Sequence, residues 1–335
     1  MKKNSLISAL KKVQPGLAAK ENIEGTTSFA FMNGRVVTYN DEVSISTTVE
    51  GLNITGAVKA TELYNLLNKI KLEDIDISVT ETEVLITAGR AKAGLSLHTE
   101  IKLPLEEISE IGKWKTLPEN FVNAVRRAMY SCARGSSKPL LTCVHVNQEG
   151  FVEGSDNFRI TRCRLSEKMP VKTFLIPVSS VVELLKLDPI KIAEGRGWVH
   201  FKTGEDTVIS CRTIEDVFPN CTPILKVEGV EITFPKTIVE ALDRASVFSK
   251  RDNALDEEVS IVLENRHITI HSTSETGWFE EIAKIKYEGD PISFLITPEL
   301  LKTILAETLT CTCGEKMMKF AGEDWEYVVM LRYTK

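Results

Sequence analysis

The 335-residue sequence predicts an α+β fold in which one module, antiparallel sheet with helices packed on one face, occurs three times. Three observations support this prediction. A helix-like segment recurs about every third of the chain, a second amphipathic segment recurs within each third, and strand-rich runs around turn residues fill most of the rest. Self-similarity at a fixed spacing indicates several copies of one structural unit.

The first recurring segment lies near the start of each third and combines an alanine with a basic residue three positions later. Successive alanines are 115 and 117 residues apart. The pairs are Ala9 with Lys12, Ala124 with Arg127, and Ala241 with Arg244. We therefore predict one helix around each of residues 6–12, 121–127 and 238–244.

The second recurring segment has apolar residues at positions i, i+3 and i+4, the spacing of one buried helix face. A β-rich stretch precedes it at residues 56–60, 174–177 and 294–298. Each third is therefore predicted to hold a strand followed by a second helix. The apolar positions are Leu63, Leu66 and Leu67; Val181, Leu184 and Leu185; and Leu301, Ile304 and Leu305.

Hairpin signals occupy much of the remaining sequence. Asn33-Gly34 separates two β-rich runs within residues 29–39, and Asn-Gly is the strongest short hairpin signal. Residues 144–152 and 259–270 show the same pattern in the other two thirds. We predict antiparallel sheet in every third, which completes the α+β module.

The length suits three domains, because a module of roughly 110 residues can own a hydrophobic core. We place the domains at residues 1–114, 115–226 and 227–335. The composition is 43% hydrophobic and 26% charged, which is typical of a soluble globular protein. Without a long Pro/Gly/Ser linker, the joins between domains are expected to be short.

The sequence favours a cytoplasmic protein. No apolar run reaches membrane-spanning length. Seven cysteines without a C-x-x-C pair fit a reducing compartment better than a disulfide framework. Cys311 and Cys313 share one face of a predicted strand, so a metal or redox role is open, but buried small hydrophobes are the favoured interpretation.

Enzymatic and cofactor motifs are absent from the sequence. It has no P-loop, no dinucleotide-binding glycine pattern, no H-E-x-x-H and no nucleophile elbow. His267 and His271 lie four apart in a predicted strand, but no third metal ligand accompanies them, and ordinary strand histidines are the simpler interpretation. We expect a non-catalytic protein with no cofactor and no metal site.

Basic residues cluster on or near the first helix of each third, although the chain carries a formal net charge of −6. Domains arranged around a centre with these helices inward would give an acidic protein a basic inner wall. The alternative is that these residues form the solvated face of amphipathic helices. The residues in question are Lys11, Lys12, Arg126, Arg127, Arg244, Lys250 and Arg251.

Three further segments stand out, namely Gly154-Ser155-Asp156-Asn157-Phe158-Arg159-Ile160, Phe218-Pro219-Asn220, and Tyr327-Val328-Val329-Met330-Leu331-Arg332. Together with the repeated two-helix module, and in their order and spacing, they resemble the bacterial β sliding clamp, the DNA polymerase III β subunit, over nearly the whole chain. The chain is somewhat short for this family, which leaves a phage-encoded or divergent member open as an alternative to a cellular one.

The resemblance implies a head-to-tail homodimer whose six domains close into a ring around duplex DNA. Helices would line the hole and antiparallel sheets would form the outer rim. Such a ring would bind double-stranded DNA without sequence specificity through the seven basic residues named above, which makes them the candidate DNA-binding residues. It would act as a processivity factor for the replicative polymerase. The implied partners are the polymerase and an ATP-dependent clamp loader.

The resemblance also implies a hydrophobic cleft that receives short linear peptides of polymerase and loader subunits. Flexible methionine and branched aliphatic side chains would form an adaptable pocket, and an arginine would anchor a polar or acidic end of the peptide. Ordinary core packing is the alternative for each aliphatic residue. Carried over to this chain, the cleft residues are Ser155, Arg159, Ile160, Pro219, Ile224, Val328, Met330, Leu331 and Arg332.

Two other functions stay open at this point. A clamp-like platform that recruits repair or transcription factors, rather than the replicative polymerase, has the same sequence features. An enzyme would need a convergent pocket of titratable residues, which the sequence does not indicate.

Overall fold

A computed structural model describes residues 1–135, 137–252 and 256–332 of the chain. Short 3-10 turns lie at Gln14–Gly16 and Pro139–Thr142. The α-helices are α1 (Lys3–Val13), α2 (Ala60–Lys69), α3 (Glu106–Ser109), α4 (Phe121–Met129), α5 (Val178–Leu184), α6 (Ile238–Ser249) and α7 (Pro298–Leu305).

The strands alternate with these helices along the chain. The first eleven are β1 (Ser28–Met32), β2 (Arg35–Tyr39), β3 (Val43–Thr48), β4 (Gly56–Lys59), β5 (Asp76–Val79), β6 (Glu83–Ala88), β7 (Ala91–Ser96), β8 (Lys115–Thr116), β9 (Cys143–Asn147), β10 (Phe151–Ser155) and β11 (Arg159–Arg164). The others are β12 (Phe174–Pro177), β13 (Lys191–Glu194), β14 (Trp198–Lys202), β15 (Val208–Arg212), β16 (Val230–Thr233), β17 (Val259–Glu264), β18 (His267–Ser274), β19 (Gly277–Lys284), β20 (Ile292–Ile296), β21 (Thr310–Cys313), β22 (Met317–Ala321) and β23 (Trp325–Met330).

The predicted α+β class is confirmed, as are both sets of recurring helices. Helices α1, α4 and α6 cover the first recurring segment, and α2, α5 and α7 cover the second. The Asn-Gly hairpin is confirmed between β1 and β2, where Asn33 and Gly34 have φ values of 51° and 70°. The hairpin predicted within residues 259–270 is confirmed between β17 and β18.

The chain divides into two compact units. Unit 1 comprises residues 1–126, 143–150 and 166–216, and unit 2 comprises residues 127–142, 151–165 and 217–335. The division into three domains at 1–114, 115–226 and 227–335 stays a prediction.

Unit 1 is organised around an eight-stranded antiparallel sheet in the order β4-β1-β2-β3-β15-β14-β13-β8. A separate three-stranded sheet has the order β5-β6-β7, and β9 pairs with β12. Helix α1 contacts α2, β2 and β3 and buries Leu6, Leu10 and Val13, which share one helix face. Thr38 in β2 donates a hydrogen bond of 2.5 Å to the carbonyl of Val13, which fastens the end of α1 to the sheet.

Unit 2 contains a ladder of strands in the order β10-β11-β23-β22-β21-β16 and a four-stranded sheet in the order β19-β18-β17-β20. Helix α6 contacts β17, β18, β19 and α7. Its buried residues Ile238, Ala241, Leu242 and Ala245 follow the spacing of one helix face. Ser272 in β18 donates a 2.7 Å hydrogen bond to the Ala245 carbonyl and thereby ties the helix to its sheet.

The sequence analysis also made predictions about the cysteines and about membrane-spanning segments. All seven cysteines are buried and none forms a disulfide, and burial raises the pKa of Cys311 and raises that of Cys313 to about 11. These thiols are therefore poor nucleophiles and poor metal ligands. Within the described residues, no helix combines the length and the apolar character needed to cross a bilayer.

His200 is buried in the middle of β14, where it lies opposite Ser210 of β15. Its Nδ1 lies 2.8 Å from the Ser210 hydroxyl, while Nε2 has no hydrogen-bond partner among the described residues. Nε2 faces Gly195, where a Cβ atom would lie only 2.2 Å from it. Burial lowers the pKa of His200 to about 4, because a charged imidazole would be desolvated here.

This environment predicts a pH-dependent stability. Between about pH 6.5 and pH 4 the unfolded chain binds a proton that the folded protein excludes, so the free energy of unfolding falls as pH falls through this range. The full effect is about 3 kcal/mol. Replacing His200 with glutamine, which does not titrate, should flatten this slope in urea unfolding measured at pH 7 and at pH 4.5. The control variant is His271→Gln, which makes the same substitution at a half-buried histidine. An equal slope in wild type and His200→Gln would contradict the assignment.

Candidate functional site

An apolar groove lies in unit 2 and has a volume of about 640 Å³, within the range of sites that bind small ligands and short segments. Its floor is formed where β11 pairs with β23. Ile160 lies opposite Val328 in this ladder, and both side chains are almost completely buried. Met317 of β22 lies opposite Met330 of β23, and the two methionines form one wall.

The turn between β10 and β11 shapes one end of the groove. Asp156 accepts hydrogen bonds from the backbone N–H groups of Phe158 and Arg159, both at 3.1 Å. Its other oxygen lies 3.0 Å from Arg159 Nε. Asn157 adopts a left-handed φ of 74°, which asparagine tolerates better than most residues. Ser155 closes the turn by donating a 2.8 Å hydrogen bond to the Arg159 carbonyl.

A segment without regular secondary structure forms the opposite lip. Phe218 and Leu225 are buried and anchor it, and Lys319 donates a 2.9 Å hydrogen bond to the Leu225 carbonyl. Between the anchors, Pro219 and Ile224 face the groove. Exposed apolar side chains concentrate at the groove, with exposed fractions of 85% for Val217, 51% for Met330 and 44% for Ile224. An apolar concentration of this kind marks an interaction surface.

The last described residues, Leu331 and Arg332, are fixed by contacts beside the groove. Leu331 is only 6% exposed, and its N–H donates to the Lys316 carbonyl at 2.9 Å. Arg332 exchanges two backbone hydrogen bonds with Leu295 and forms a 2.7 Å ion pair with Glu258. Neither side chain lines the groove.

The predicted cleft residues are therefore brought together with two exceptions. Both Leu331 and Arg332 lie outside the groove lining. Leu331 is buried in the core, and Arg332 contacts Leu295 and Glu258. Sequence reasoning missed the rest of the lining, which includes Lys138, Val217, Lys316 and Met317. The adjacent methionines Met317 and Met318 were a usable signal, because strand alternation directs one of them to each face. The groove is lined by Ser155, Arg159, Ile160, Pro219, Ile224, Val328 and Met330 from the predicted set.

Three of the predicted basic residues lie in unit 1. Lys11 is exposed near the end of α1, and Lys12 forms an ion pair with Glu205. Arg126 is exposed on α4 and donates a 2.9 Å hydrogen bond to the neutral Asn123 side chain, so its charge is not neutralised by that contact.

The other four predicted basic residues lie in unit 2, where two are internally paired. Arg127 lies 3.0 Å from Glu307 and 3.7 Å from Asp324, with its guanidinium 5.1 Å from the Trp325 ring centroid. Arg244 forms a bidentate pair with Glu281, both hydrogen bonds being 2.9 Å long.

Lys250 and Arg251 follow α6 and are both exposed. Arg251 donates to the backbone carbonyls of Ser249, Lys250 and Thr273, which orient the guanidinium but leave its charge in place. Within the described chain, Lys11, Arg126, Lys250 and Arg251 therefore present uncompensated positive charge.

The described residues contain no group of three histidine, cysteine, aspartate or glutamate side chains that could hold a metal ion. His267 is exposed, and the ring of His271 stacks on Trp278 with centroids 6.4 Å apart.

No protein-family model and no curated protein matches the sequence. Solved structures match closely. The crystal structure of the DNA polymerase III subunit beta from Pseudomonas aeruginosa superposes with a TM-score of 0.86 at 18% identity, covering 99% of both chains. The sliding clamp of the same organism bound to griselimycin gives 0.86 at 18% identity and covers 100% of this chain and 98% of its own. A putative DNA polymerase III beta subunit from Eubacterium rectale gives 0.84 at 16% identity, covering 99% and 98%.

The likeness extends over the whole length of the chain, including the strands that form the groove and the helices that carry the basic residues. This chain has the fold of the bacterial DNA polymerase III beta sliding clamps.

Proposed function

We propose that this protein is a DNA sliding clamp, a non-catalytic cytoplasmic subunit that encircles duplex DNA and tethers a polymerase through the groove in unit 2. The observation that carries the proposal is the fold likeness, which runs over 99% of this chain and of a bacterial clamp. The exposed apolar groove supports it independently, because a tether needs a surface for its partner. Loading by an ATP-dependent clamp loader and a three-domain protomer are part of the same proposal.

Sliding requires attraction to DNA without base recognition. Phosphate contacts by lysine and arginine are sequence-independent and weaken with salt, so they allow movement along the duplex. Lys11, Arg126, Lys250 and Arg251 are the residues we propose for these contacts. The net charge of −6 discourages DNA from binding elsewhere on the surface.

A ring of two copies needs two different surfaces that fit each other. Strand β19 is an outer strand of its sheet in unit 2, and its exposed face carries Trp278 (66% exposed) and Ile282 (60% exposed) beside Glu280. Strand β7 is an outer strand in unit 1 and carries the exposed Lys92. Outer strands offer unpaired backbone groups. We therefore propose that β19 of one copy joins β7 of the other, with acidic and basic side chains facing each other.

The proposed interface between two copies can be tested by the mass of the protein in solution. Wild type should have a solution mass of twice 37.4 kDa by light scattering, with a hollow profile in small-angle scattering. The double variant Trp278→Ser, Ile282→Ser should dissociate to the single mass, because it removes the apolar area that the interface would bury. Val217→Ser removes an apolar side chain at the groove that is still more exposed, at 85%, and should leave the dimer intact. A dimeric double variant would refute the β19 interface, and a wild-type monomer at every concentration would refute the unaided ring.

The proposed DNA contacts can be tested by reversing the charge of the basic residues. Changing Lys11, Arg126 and Lys250 together to glutamate should weaken duplex binding in fluorescence anisotropy. The slope of log affinity against log salt should fall by about 1 for each phosphate that the variant can no longer neutralise. Arg127 and Arg244 are unsuitable for this test, because a carboxylate there would face Glu307 or Glu281 and destabilise the fold.

The matched control changes Lys71, Lys191 and Lys286 to glutamate, which alters net charge equally outside the first helices. If both triple variants weaken binding to the same extent, net charge and not a specific surface governs the interaction. An unchanged salt slope in the first variant would exclude these helices from the DNA-binding surface.

The proposed docking of a peptide in the groove can be tested with a labelled peptide. A fluorescein-labelled hexapeptide with leucine and phenylalanine side chains should bind wild type, and Met330→Asp should weaken it about tenfold or more, because a carboxylate replaces an apolar contact of roughly 1.5–3 kcal/mol. Val247→Asp changes a comparably exposed side chain on α6 and serves as the control. Equal binding to wild type and Met330→Asp would contradict docking in the groove.

A further inference from the structure

We propose that Lys316 makes the groove selective for peptides that carry an acidic residue beside their apolar side chains. This inference rests on the proposed peptide docking and assigns the charge preference of that site.

The backbone of Lys316 is held at the groove wall. It lies in the turn between β21 and β22, where the Gly314 N–H donates to the Met317 carbonyl at 2.9 Å. The Leu331 N–H donates to the Lys316 carbonyl, also at 2.9 Å. Lys316 belongs to the groove lining, next to Met317 in the chain. The ammonium group is therefore on a fixed base, within reach of a segment that lies on the two methionines.

The charge of Lys316 is available to a ligand. The residue is exposed, and its side chain makes no ion pair or hydrogen bond with any residue that the structure describes. Glu315 precedes it in the turn and is also exposed, without a contact to the lysine. Binding an acidic group at Lys316 would thus break no existing interaction of this side chain.

Arg159, the arginine that the sequence pointed to as an anchor, is in a different situation. Its side chain is 12% exposed and lies against Asp156, which is 5% exposed, with 3.0 Å between Nε and the carboxylate. Asp156 also holds the turn through its two backbone hydrogen bonds. Separating this pair would leave a buried carboxylate without its counter-charge, which is strongly unfavourable. Arg159 is a positioning residue for the turn, and its charge is already neutralised.

The lining as a whole has a one-sided charge. Among its described residues there is no aspartate or glutamate, whereas Lys138 and Lys316 both belong to it. A basic side chain on a docked peptide would find no carboxylate in this lining, whereas an acidic one would find a lysine. The groove therefore favours one sign of charge in its ligand.

The expected preference is modest, because the ion pair would be exposed to solvent. Exposed pairs contribute about 0.2–1 kcal/mol, which corresponds to roughly 1.5-fold to 5-fold in affinity. Such a difference selects among competing peptides without making any of them bind tightly. It should also fade as salt screens the pair.

The experiment uses the full chain and two sets of fluorescein-labelled hexapeptides with leucine and phenylalanine side chains. One set carries an aspartate before, between or after these side chains, and the other carries asparagine at the same position. Asparagine matches aspartate in shape and lacks the charge. Affinities are measured by anisotropy at about 50 mM and 500 mM salt, which lie on either side of strong screening.

In wild type, at least one aspartate peptide should bind about 2-fold to 5-fold more tightly than its asparagine partner at low salt. Lys316→Ala should abolish the difference and Lys316→Glu should reverse it. Lys236→Glu, an equal charge change at an exposed residue outside the groove, should retain it. Lys138→Ala is measured in parallel to separate the two lysines of the lining.

Each outcome has a distinct meaning. A preference that persists in Lys316→Ala and disappears in Lys138→Ala would overturn the assignment to Lys316. Equal binding of both peptide sets to wild type would overturn the charge preference and leave docking in the groove intact. If no peptide of either set binds wild type, the proposed docking fails together with the inference.

Discussion

The register between β11 and β23 determines which side chains can form the groove. Arg159 lies opposite Val329 and Ile160 lies opposite Val328, so Ile160 and Val328 project to the same face. A slip of one residue would turn every side chain of β23 to the other face of the sheet, replacing Val328 and Met330 by their neighbours. The register is held at both ends, because the Met330 N–H donates to the Phe158 carbonyl and the Arg164 N–H donates to the Asp324 carbonyl. The position of the Asp156 turn and that of the last described residues both depend on this register.

The electrostatics of the molecule follow from how its arginines are paired. Arg127, Arg159 and Arg244 each contact carboxylates, so they contribute to the fold more than to the outer field. Basic residues without such partners are the ones able to attract phosphate or carboxylate groups from outside. This distinction explains how a chain with a net charge of −6 can present local positive regions. It also separates two classes of basic residue that look alike in the sequence.

Much of the fold was predictable because its signals are local. Helix periodicity in α2 and α7 and the Asn33-Gly34 turn depend on neighbouring residues only, and the structure confirms them. The groove was predictable in part, since Ile160, Val328 and Met330 lie in the segments that carry the family resemblance. Leu331 and Arg332 lie outside the groove lining because strand alternation and the bridge to Leu295 decide their direction, and the partner strand is distant in sequence. The ion pairs of Arg127 with Glu307 and Asp324 are equally non-local, so no pattern around residue 127 could have revealed them.

The tethering role that we propose needs weak contacts of two different kinds. Attraction to DNA has to be non-specific so that translocation is not stopped at any sequence, and exposed lysine and arginine provide this through counterion release. Attraction to the partner has to be exchangeable, so that one peptide can replace another. A shallow groove lined by flexible methionine and branched aliphatic side chains gives moderate affinity for many apolar segments. In such a site a single exposed lysine adds discrimination by charge while the apolar contacts supply most of the binding energy. In the proposed site, Lys316 would supply the discrimination by charge, and Met317 and Met330 would supply the apolar contacts.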